Sequence, residues 1–360
     1  MQRIRDGLSR NANRRFFFRA TSKKTVGTET VKSTFECIDG HTAGMPVRMI
    51  VSGAPSLDGR NQSERRQHFM EEFDWMRRAL MFEPRGHSAM SGTFIYPPSS
   101  DEFDIGIIFI ETSGCLPMCG HASIGTTTFA IERGLVTPKT EGLLRLETPA
   151  GRVDVEYEKE NDRVTSVKLI NIPSFLLAKD IEIESPDLGA LKVDIAYGGN
   201  FYPIIEQQEN FTDLSEFDAP SLIRMGIELR EQLEGVHNIV HPLDTSIQGL
   251  RHCMWTGAAL DSNSDARACV IAGEMVDRSP CGTGTSARLA QRAARDLITE
   301  GETFVHESFI GSKFVGTIEG RTKVGEYQAI IPGVRGAAHI TGINTIFVDS
   351  DDPFPQGFML

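Results

Sequence analysis

The spacing of apolar residues predicts two strand-to-helix units about half a chain apart. In the first unit, residues 104–112 are rich in β-branched and aromatic side chains, which is typical of a buried strand. Residues 122–132 follow without a proline and end before Gly134, as a helix would. In the second unit, residues 268–276 are strand-like with a break at Gly273. The helix after them is predicted from an apolar face made of Ala287, Ala290, Ala294 and Leu297.

The rest of the chain also alternates between helix and sheet. Residues 67–81 have the spacing of a surface helix, and residues 34–38 form a strand that leads into a glycine-containing loop at 39–44. Between residues 304 and 347, short apolar runs and glycine turns alternate, which indicates antiparallel sheet. These patterns predict an α+β protein of two similar α/β halves that face each other across a cleft.

Each strand-to-helix unit has a cysteine followed by a glycine at the predicted start of its helix. These pairs are Cys119-Gly120 and Cys281-Gly282. Unpaired N–H groups and the macrodipole at a helix start favour negative charge, so we expect a lowered pKa for both thiols. A glycine after each thiol lets a ligand approach the backbone closely.

Two thiols on opposite walls of a cleft can remove a proton from one face of a carbon and return one to the other face. The backbone N–H groups at both helix starts would hold the substrate carboxylate as it gains enolate character, and these belong to Gly120, His121, Gly282 and Thr283. Asp277 and the His121 ring are placed to hydrogen-bond an amine. This scheme needs no cofactor, and the sequence has neither a Walker pattern nor a Rossmann glycine fingerprint.

Composition narrows the expected partners and compartment. The formal net charge is -12, and residues 1–24 hold eight Lys/Arg against one acid, so the remaining chain is more acidic still. We therefore expect a small-molecule substrate, no nucleic acid, no membrane span, and a monomer or homodimer. Residues 1–32 are expected to be a disordered basic extension. The reducing cytoplasm suits the free thiols, and mitochondrial targeting by the basic extension is the alternative.

The sequence around the two thiols resembles a known family. MCGHASIG at 118–125 and DRSPCGTGTSAR at 277–288 resemble the two signature segments of the proline racemase family. The resemblance runs from DGHTAG at 39 through YGGNFY at 197 to TGINTIFVD at 341, and it is closest to the branch that acts on 4-hydroxyproline.

The resemblance implies a diaminopimelate-epimerase-like fold, in which each α/β half wraps a sheet around a central helix and the active site lies in the cleft between them. We expect the first half to span residues 33–155, completed by 335–360, and the second to span 156–334. The resemblance also implies cofactor-independent epimerisation of trans-4-hydroxy-L-proline to cis-4-hydroxy-D-proline. In that reaction Cys119 and Cys281 would be proton acceptor and donor, and Asp277 would contact the ring nitrogen.

Other functions stay open on the same residues. A proline racemase would use the same thiols, and related trans-3-hydroxyproline dehydratases have Ser or Thr in place of the first cysteine. A non-catalytic imino-acid-binding protein or a redox dithiol is a different class of explanation. Cys115, Cys119 and His121 are spaced like metal ligands but lack a second ligand pair, so no metal is expected.

Further residues have a structural and a functional interpretation. His41 and His87 lie in glycine loops that could line the pocket, and Phe201 and Tyr202 could contact a substrate ring or belong to the core. Four cysteines are expected to be buried structural residues, namely Cys37, Cys115, Cys253 and Cys269. Three histidines are expected to be structural, namely His252, His306 and His339.

Overall fold

The computed structural model describes residues 32–360, whose strands form one continuous, largely antiparallel sheet. The strands are β1 (Lys32–Thr42), β2 (Met45–Ser52), β3 (Ser91–Tyr96), β4 (Ile105–Glu111), β5 (Leu143–Thr148), β6 (Gly151–Glu160), β7 (Arg163–Ile170), β8 (Ser174–Ser185), β9 (Gly189–Tyr197), β10 (Phe201–Ile205), β11 (His252–Gly257), β12 (Ala266–Ala272), β13 (Met275–Val276), β14 (Thr303–Glu307), β15 (Lys313–Val324), β16 (Tyr327–Gly336) and β17 (Ala338–Asp349). The expected extension and its targeting role concern residues outside this described part, except Lys32, which begins β1.

The described residues also form five α-helices. These are α1 (Gln62–His68), α2 (Asp74–Met81), α3 (Gly120–Glu132), α4 (Ala219–Val236) and α5 (Gly282–Ala294). A single π-helical turn, Phe69–Phe73, joins the first two, and a 3-10 turn, Leu214–Glu216, precedes α4.

Two of these helices, α3 and α5, lie inside the sheet. Strands β1, β2, β3, β7 and β17 contact α3, whereas β8, β9, β10, β15 and β16 contact α5. Nearly every residue of each helix is buried, which explains why apolar and small residues occupy all sides of them rather than one stripe. Each helix therefore has its own set of surrounding strands, and its N-terminus is held by the sheet around it.

The two sets of strands are joined through β16, which pairs with β15 and also with β7 and β8. The last strand, β17, pairs with β1 along its length and lies beside α3. The expected boundary at residues 155 and 156 falls inside β6, and β6 continues into β7 through a tight turn. Because β7 packs on α3, these two strands belong with the first set.

Several predicted elements differ from the observed ones at their ends. The predicted helix at 67–81 begins earlier, at Gln62, and most of the predicted loop at 39–44 continues strand β1 to Thr42. Leu297 lies beyond the end of α5 and is 52% exposed, so it is not part of the predicted apolar face. The region 304–347 is antiparallel as predicted, but its strands are long, up to 12 residues.

Helix α4 is absent from the predicted elements. Asp218 caps it by accepting a hydrogen bond from the Ser221 N–H. It buries Leu222, Met225, Leu229 and Leu233, which have the spacing of one helix face. No helix within residues 32–360 combines the length with the hydropathy that a transmembrane helix needs.

Candidate active site

Cys119 is the N-cap residue of α3, at the end of the loop that follows β4. Its side chain is 3% exposed. The Cys119 Sγ lies 3.3 Å from Oε1 of Glu111, the last residue of β4, and 3.4 Å from Nδ1 of His121. The predicted position at a helix start is therefore confirmed, and a carboxyl group that the sequence did not indicate lies against the sulfur.

The His121 ring contacts both Cys119 and Ser91, and the Cys119 Sγ is nearer to Nδ1, at 3.4 Å, than to Nε2, at 3.8 Å. Its Nε2 lies 2.8 Å from the Ser91 Oγ, and that hydroxyl donates to the Pro46 carbonyl at 2.7 Å. Both ring nitrogens therefore have protein partners. The expected contact of this ring with a substrate amine stays a prediction, and among the described residues the ring contacts Cys119 and Ser91.

Cys281 is the N-cap residue of α5 and has a positive φ of 65°. A non-glycine residue in this region is strained, and such residues are concentrated at functional sites. The conformation turns the Sγ over its own helix start, where it accepts a hydrogen bond from the Gly284 N–H at 3.3 Å. The Tyr202 hydroxyl lies 3.3 Å from the same sulfur and 2.6 Å from the Thr283 Oγ1.

The two helix starts touch each other at their glycines. A Cβ placed on Gly120 would lie 2.5 Å from the Gly282 Cα, and one placed on Gly282 would lie 2.6 Å from the Gly120 Cα. Only glycine permits this approach. Among the described residues, no hydrogen-bond partner is found for the N–H groups of Gly120, His121, Gly282 and Thr283. Four free donors and two positive helix ends thus converge, as a carboxylate site requires.

Asp277 lies in the segment between β13 and Cys281 and is 3% exposed. Its Oδ1 accepts hydrogen bonds from the N–H and the hydroxyl of Ser279, at 2.8 and 2.9 Å. Ser279 in turn accepts from the Cys281 N–H through its Oγ at 3.1 Å. Arg278 donates to the Val276 carbonyl rather than to Asp277, so the Asp277 Oδ2 is available to a cationic ligand.

Burial raises the pKa of both thiols in this closed arrangement. For Cys119 the next cause is the Glu111 carboxylate, and for Cys281 it is the Asp277 carboxylate. The pKa of Glu111 is itself raised, mainly because it is fully buried. The expectation that the helix starts lower the pKa of both thiols is therefore wrong for this buried site. The free energy needed to remove a thiolate from water is larger than the stabilisation that the nearby N–H groups provide.

Among the described residues, one group of side chains has the spacing of metal ligands. It consists of Glu111, Cys119 and His121, whose ligand atoms lie within 4.8 Å of one another. Cys115, the third ligand of the sequence-based hypothesis, lies instead in a separate apolar cluster with Ile110. All three residues of the group are buried, and a metal there would occupy the Cys119 sulfur that proton transfer requires.

The remaining candidates divide into core and site residues. Phe201 packs against Phe175 and Tyr197 in the core, whereas Tyr202 reaches Cys281. His41 accepts from the Gly44 N–H, and His87 is exposed. Three residues of the site were not predicted from the sequence, namely Ser91, Glu111 and Ser279. Only Ser279 could have been found from sequence, because a serine two residues before an N-cap can bond its N–H.

Comparison of the whole chain first defines the class of fold. A phenazine biosynthesis protein of the PhzF family from Bacillus anthracis matches with a TM-score of 0.58 over 87% of this chain and 99% of its own, at 13% identity. A hydroxyproline epimerase from Agrobacterium vitis, solved with bound trans-4-hydroxy-L-proline, matches with a TM-score of 0.85 over 91% of this chain and 95% of its own, at 29% identity. The fold is thus the one shared by PhzF-like and hydroxyproline epimerase structures.

Sequence comparison then identifies the family. Residues 37–359 match the model of the proline racemase family, and the chain belongs to that family. A 4-hydroxyproline 2-epimerase from Ancylobacter novellus is 52% identical over 330 residues, which cover 91% of this chain and 99% of the relative. The family resemblance carried by the two thiol segments is confirmed.

Proposed function

We propose that this protein is a cofactor-independent 4-hydroxyproline 2-epimerase, which interconverts trans-4-hydroxy-L-proline and cis-4-hydroxy-D-proline. The observation that carries the proposal is the pair of cysteines that cap two helices whose starts touch at Gly120 and Gly282. The names of the 52% identical relative and of the Agrobacterium vitis structure support this substrate over others of the family.

The first requirement of the reaction is stabilisation of the carboxylate. An α-hydrogen of an amino acid is a very weak acid, and its removal moves negative charge onto the carboxylate oxygens. The four free N–H groups at the two helix starts stand where that charge develops. Pre-oriented donors of this kind can contribute about 10²–10³-fold each to the rate. Asp277 Oδ2 is the partner for the positively charged ring nitrogen, which holds the ring in one orientation.

The second requirement is a base on one face of the α-carbon and an acid on the other. One cysteine takes the α-hydrogen as its thiolate becomes a thiol, and the other thiol gives its proton to the opposite face and becomes a thiolate. The substrate keeps its number of hydrogens, and the enzyme ends with the proton on the other sulfur. The two reactive groups are the thiols of Cys119 and Cys281, and these proton transfers need no cofactor.

The third requirement is exclusion of water. The two cysteines are 3% and 5% exposed, so the cleft must open for substrate to enter and close before the proton transfers. Opening lets water reach the sulfurs, where a thiolate forms more easily than in the closed site. Closure then surrounds a thiolate with N–H groups and a cationic substrate, which takes the place of its lost hydration.

We also infer that the chain has a diaminopimelate-epimerase-like division into two halves, one around α3 and one around α5. The separate strand sets of the two helices support it. The pairing of β6 with β7 supports a division after Ile170, later than the boundary expected from the sequence, with β17 completing the first half.

Hydrogen exchange at the α-carbon tests the proposed function. The protein is incubated in D2O with trans-4-hydroxy-L-proline, L-proline or trans-3-hydroxy-L-proline, and the products are followed by NMR and chiral chromatography. We expect a cis-4-hydroxy-D-proline product that carries deuterium at the α-position. Faster turnover of proline would identify a proline racemase, loss of water from the 3-hydroxy compound would identify a dehydratase, and lack of exchange with all three would indicate a binding protein.

The thiol assignment is tested with Cys119→Ala and Cys281→Ala, each of which should lower inversion by at least about 10³-fold because one face loses its acid or base. The matched control is Cys269→Ala, a buried cysteine of β12 outside the site, which should keep its activity. Rapid inversion by either single variant would contradict the two-base mechanism. Retention of activity after prolonged chelation would separate this mechanism from a metal centre at Glu111, Cys119 and His121.

A further inference from the structure

The donors and acceptors around Cys281 can be assigned one after another, starting from a carbonyl group that can only accept. The Asn200 Nδ2 donates to the Met118 carbonyl at 2.8 Å, and a carbonyl can only accept, so this bond sets the orientation of the amide. The second N–H of Nδ2 points to the Thr283 Oγ1 at 3.4 Å. The Thr283 oxygen therefore accepts from the amide.

Because Thr283 accepts from Asn200, its own hydroxyl hydrogen can go to the Tyr202 oxygen at 2.6 Å or to the Cys281 sulfur at 3.7 Å, and the shorter contact favours Tyr202. Tyr202 has a single hydrogen, and the remaining partner of its hydroxyl is the Cys281 sulfur at 3.3 Å. The Gly284 N–H donates to the same sulfur at 3.3 Å. Two donors thus converge on the Cys281 sulfur, which is the environment of a thiolate.

The opposite polarity surrounds Cys119. The Ser91 hydroxyl donates to the Pro46 carbonyl, so its oxygen accepts from the His121 Nε2–H. When Nε2 carries the ring hydrogen, Nδ1 has a lone pair, and Nδ1 is the nearer of the two nitrogens to the Cys119 sulfur, at 3.4 Å against 3.8 Å for Nε2. The Glu111 Oε1 at 3.3 Å is a second acceptor for the same sulfur. These acceptors suit a thiol that donates its hydrogen.

We propose that these hydrogen bonds set the resting protonation of the site, with the thiolate on Cys281 and the proton on Cys119, and that Tyr202 is the positioning residue that maintains it. The resting protonation does not depend on the proposed function, whereas the roles that it gives the two cysteines in turnover rest on that function. In the resting form Cys281 takes the α-hydrogen and Cys119 supplies the new one. The roles that the family resemblance implies, Cys119 as acceptor and Cys281 as donor, belong to the form left after that turnover and to the reverse direction.

Burial and a nearby carboxylate raise the pKa of both thiols, so the difference between the two sulfurs rests on their hydrogen-bond partners. The pKa of Cys119 is raised well above its usual value by burial and then by the Glu111 carboxylate, and the Ala122 N–H acts in the opposite direction. The pKa of Cys281 is also raised, by burial and then by the Asp277 carboxylate, whereas hydrogen bonds from Tyr202, the Gly284 N–H and Thr283 act in the opposite direction. The His252 ring, which stacks on Tyr202, stays neutral because burial lowers its pKa to about 3.

The test is the pH dependence of alkylation at each cysteine. The full chain is treated with iodoacetamide between about pH 6 and pH 11 without substrate, and the labelled peptides of Cys119 and Cys281 are quantified by mass spectrometry. The midpoint of each rate profile gives the pH at which half of that cysteine is thiolate. Opening of the cleft changes the access of iodoacetamide to both cysteines alike, so it does not change the difference between their midpoints. We expect the Cys281 midpoint to lie at least about one pH unit below that of Cys119, a tenfold preference, since a hydrogen bond to a charged group has about that effect.

Tyr202→Phe removes one donor and should raise the Cys281 midpoint by about one pH unit while the Cys119 midpoint stays unchanged. The matched control is Tyr197→Phe, the same chemical change at a buried tyrosine that packs against Phe175, and it should shift neither midpoint. Should Tyr202→Phe not fold, Thr283→Val interrupts the same chain of hydrogen bonds and Thr283→Ser restores it. Glu111→Gln should lower the Cys119 midpoint.

A Cys119 midpoint at or below that of Cys281, or no change in the Cys281 midpoint in both Tyr202→Phe and Thr283→Val, would overturn the inference. Alkylation requires no turnover, so such a result leaves the proposed epimerase activity standing. Conversely, lack of epimerase activity would not prevent measurement of the two midpoints.

Discussion

The contact between the two helix starts predicts a severe effect of adding one methyl group. In Gly120→Ala the new Cβ would lie 2.5 Å from the Gly282 Cα, 2.9 Å from the Gly282 carbonyl carbon and 3.1 Å from the Thr283 nitrogen. Carbon atoms in contact are about 3.5–4.0 Å apart, so the helix starts must separate by roughly 1 Å. All three atoms are backbone, so no side chain can rotate away.

A displacement of about 1 Å at a reacting centre costs about 10²-fold in rate, and overpacking of this kind costs about 1–3 kcal/mol of stability. We therefore expect Gly120→Ala to stay folded at room temperature, to melt several degrees lower, and to lose at least about 10²-fold in kcat/KM. Epimerisation is followed by polarimetry, and the free energy of unfolding is obtained from urea titration.

The matched control for this variant is Gly342→Ala, where a Cβ meets nothing within 4 Å and φ is not positive. It should keep both activity and stability. Wild-type kcat/KM in Gly120→Ala would show that the two helix starts are not in contact in the active protein, and would refute the shared carboxylate site.

Two further predictions concern buried carboxylates. Asp277→Asn keeps an oxygen for Ser279 but removes the charge opposite a cationic nitrogen, so KM for trans-4-hydroxy-L-proline should rise at least about tenfold; an unchanged KM would exclude that contact. Arg295→Gln removes the paired hydrogen bonds to Asp194, at 2.7 Å each, and should cost about 3 kcal/mol at pH 7. Burial alone would raise the pKa of Asp194, but its bonds to Arg295 and Gln291 lower it overall. A carboxyl whose pKa is lowered in the folded state stabilises the protein at pH values above its unfolded-state pKa of about 3.9. The difference in free energy of unfolding between variant and wild type should therefore shrink as pH falls below about 4. Urea titrations that give the same difference at pH 7 and below pH 4 would contradict this.

The positions of the two thiols could be predicted from sequence because they are local. A strand, a cysteine and a helix follow one another within about thirty residues in each unit, and the cysteine-glycine pair marks the helix start directly. For the same reason α3 was predicted to within two residues at its beginning and to the residue at its end. The missed helix α4 carries an equally clear apolar spacing, at Leu222, Met225, Leu229 and Leu233.

The partners of the thiols could not be predicted, because they come from distant strands. His121 and its partner Ser91 are 30 residues apart, and Tyr202 and Cys281 are 79 apart. Glu111 is only eight residues from Cys119, but the loop between them decides whether the carboxyl meets the sulfur. No spacing rule relates such pairs, since sheet pairing and helix burial bring them together.

The sequence by itself determined the family, the two strand-to-helix units and the cysteine at the start of each helix, because these depend on neighbouring residues and on local backbone preferences. Only the tertiary structure decided which groups surround each sulfur and how far both are removed from water. The reason is physical: a helix start favours a thiolate through N–H groups that belong to the same segment, whereas desolvation depends on every strand packed around it, and here it raises the pKa of both thiols.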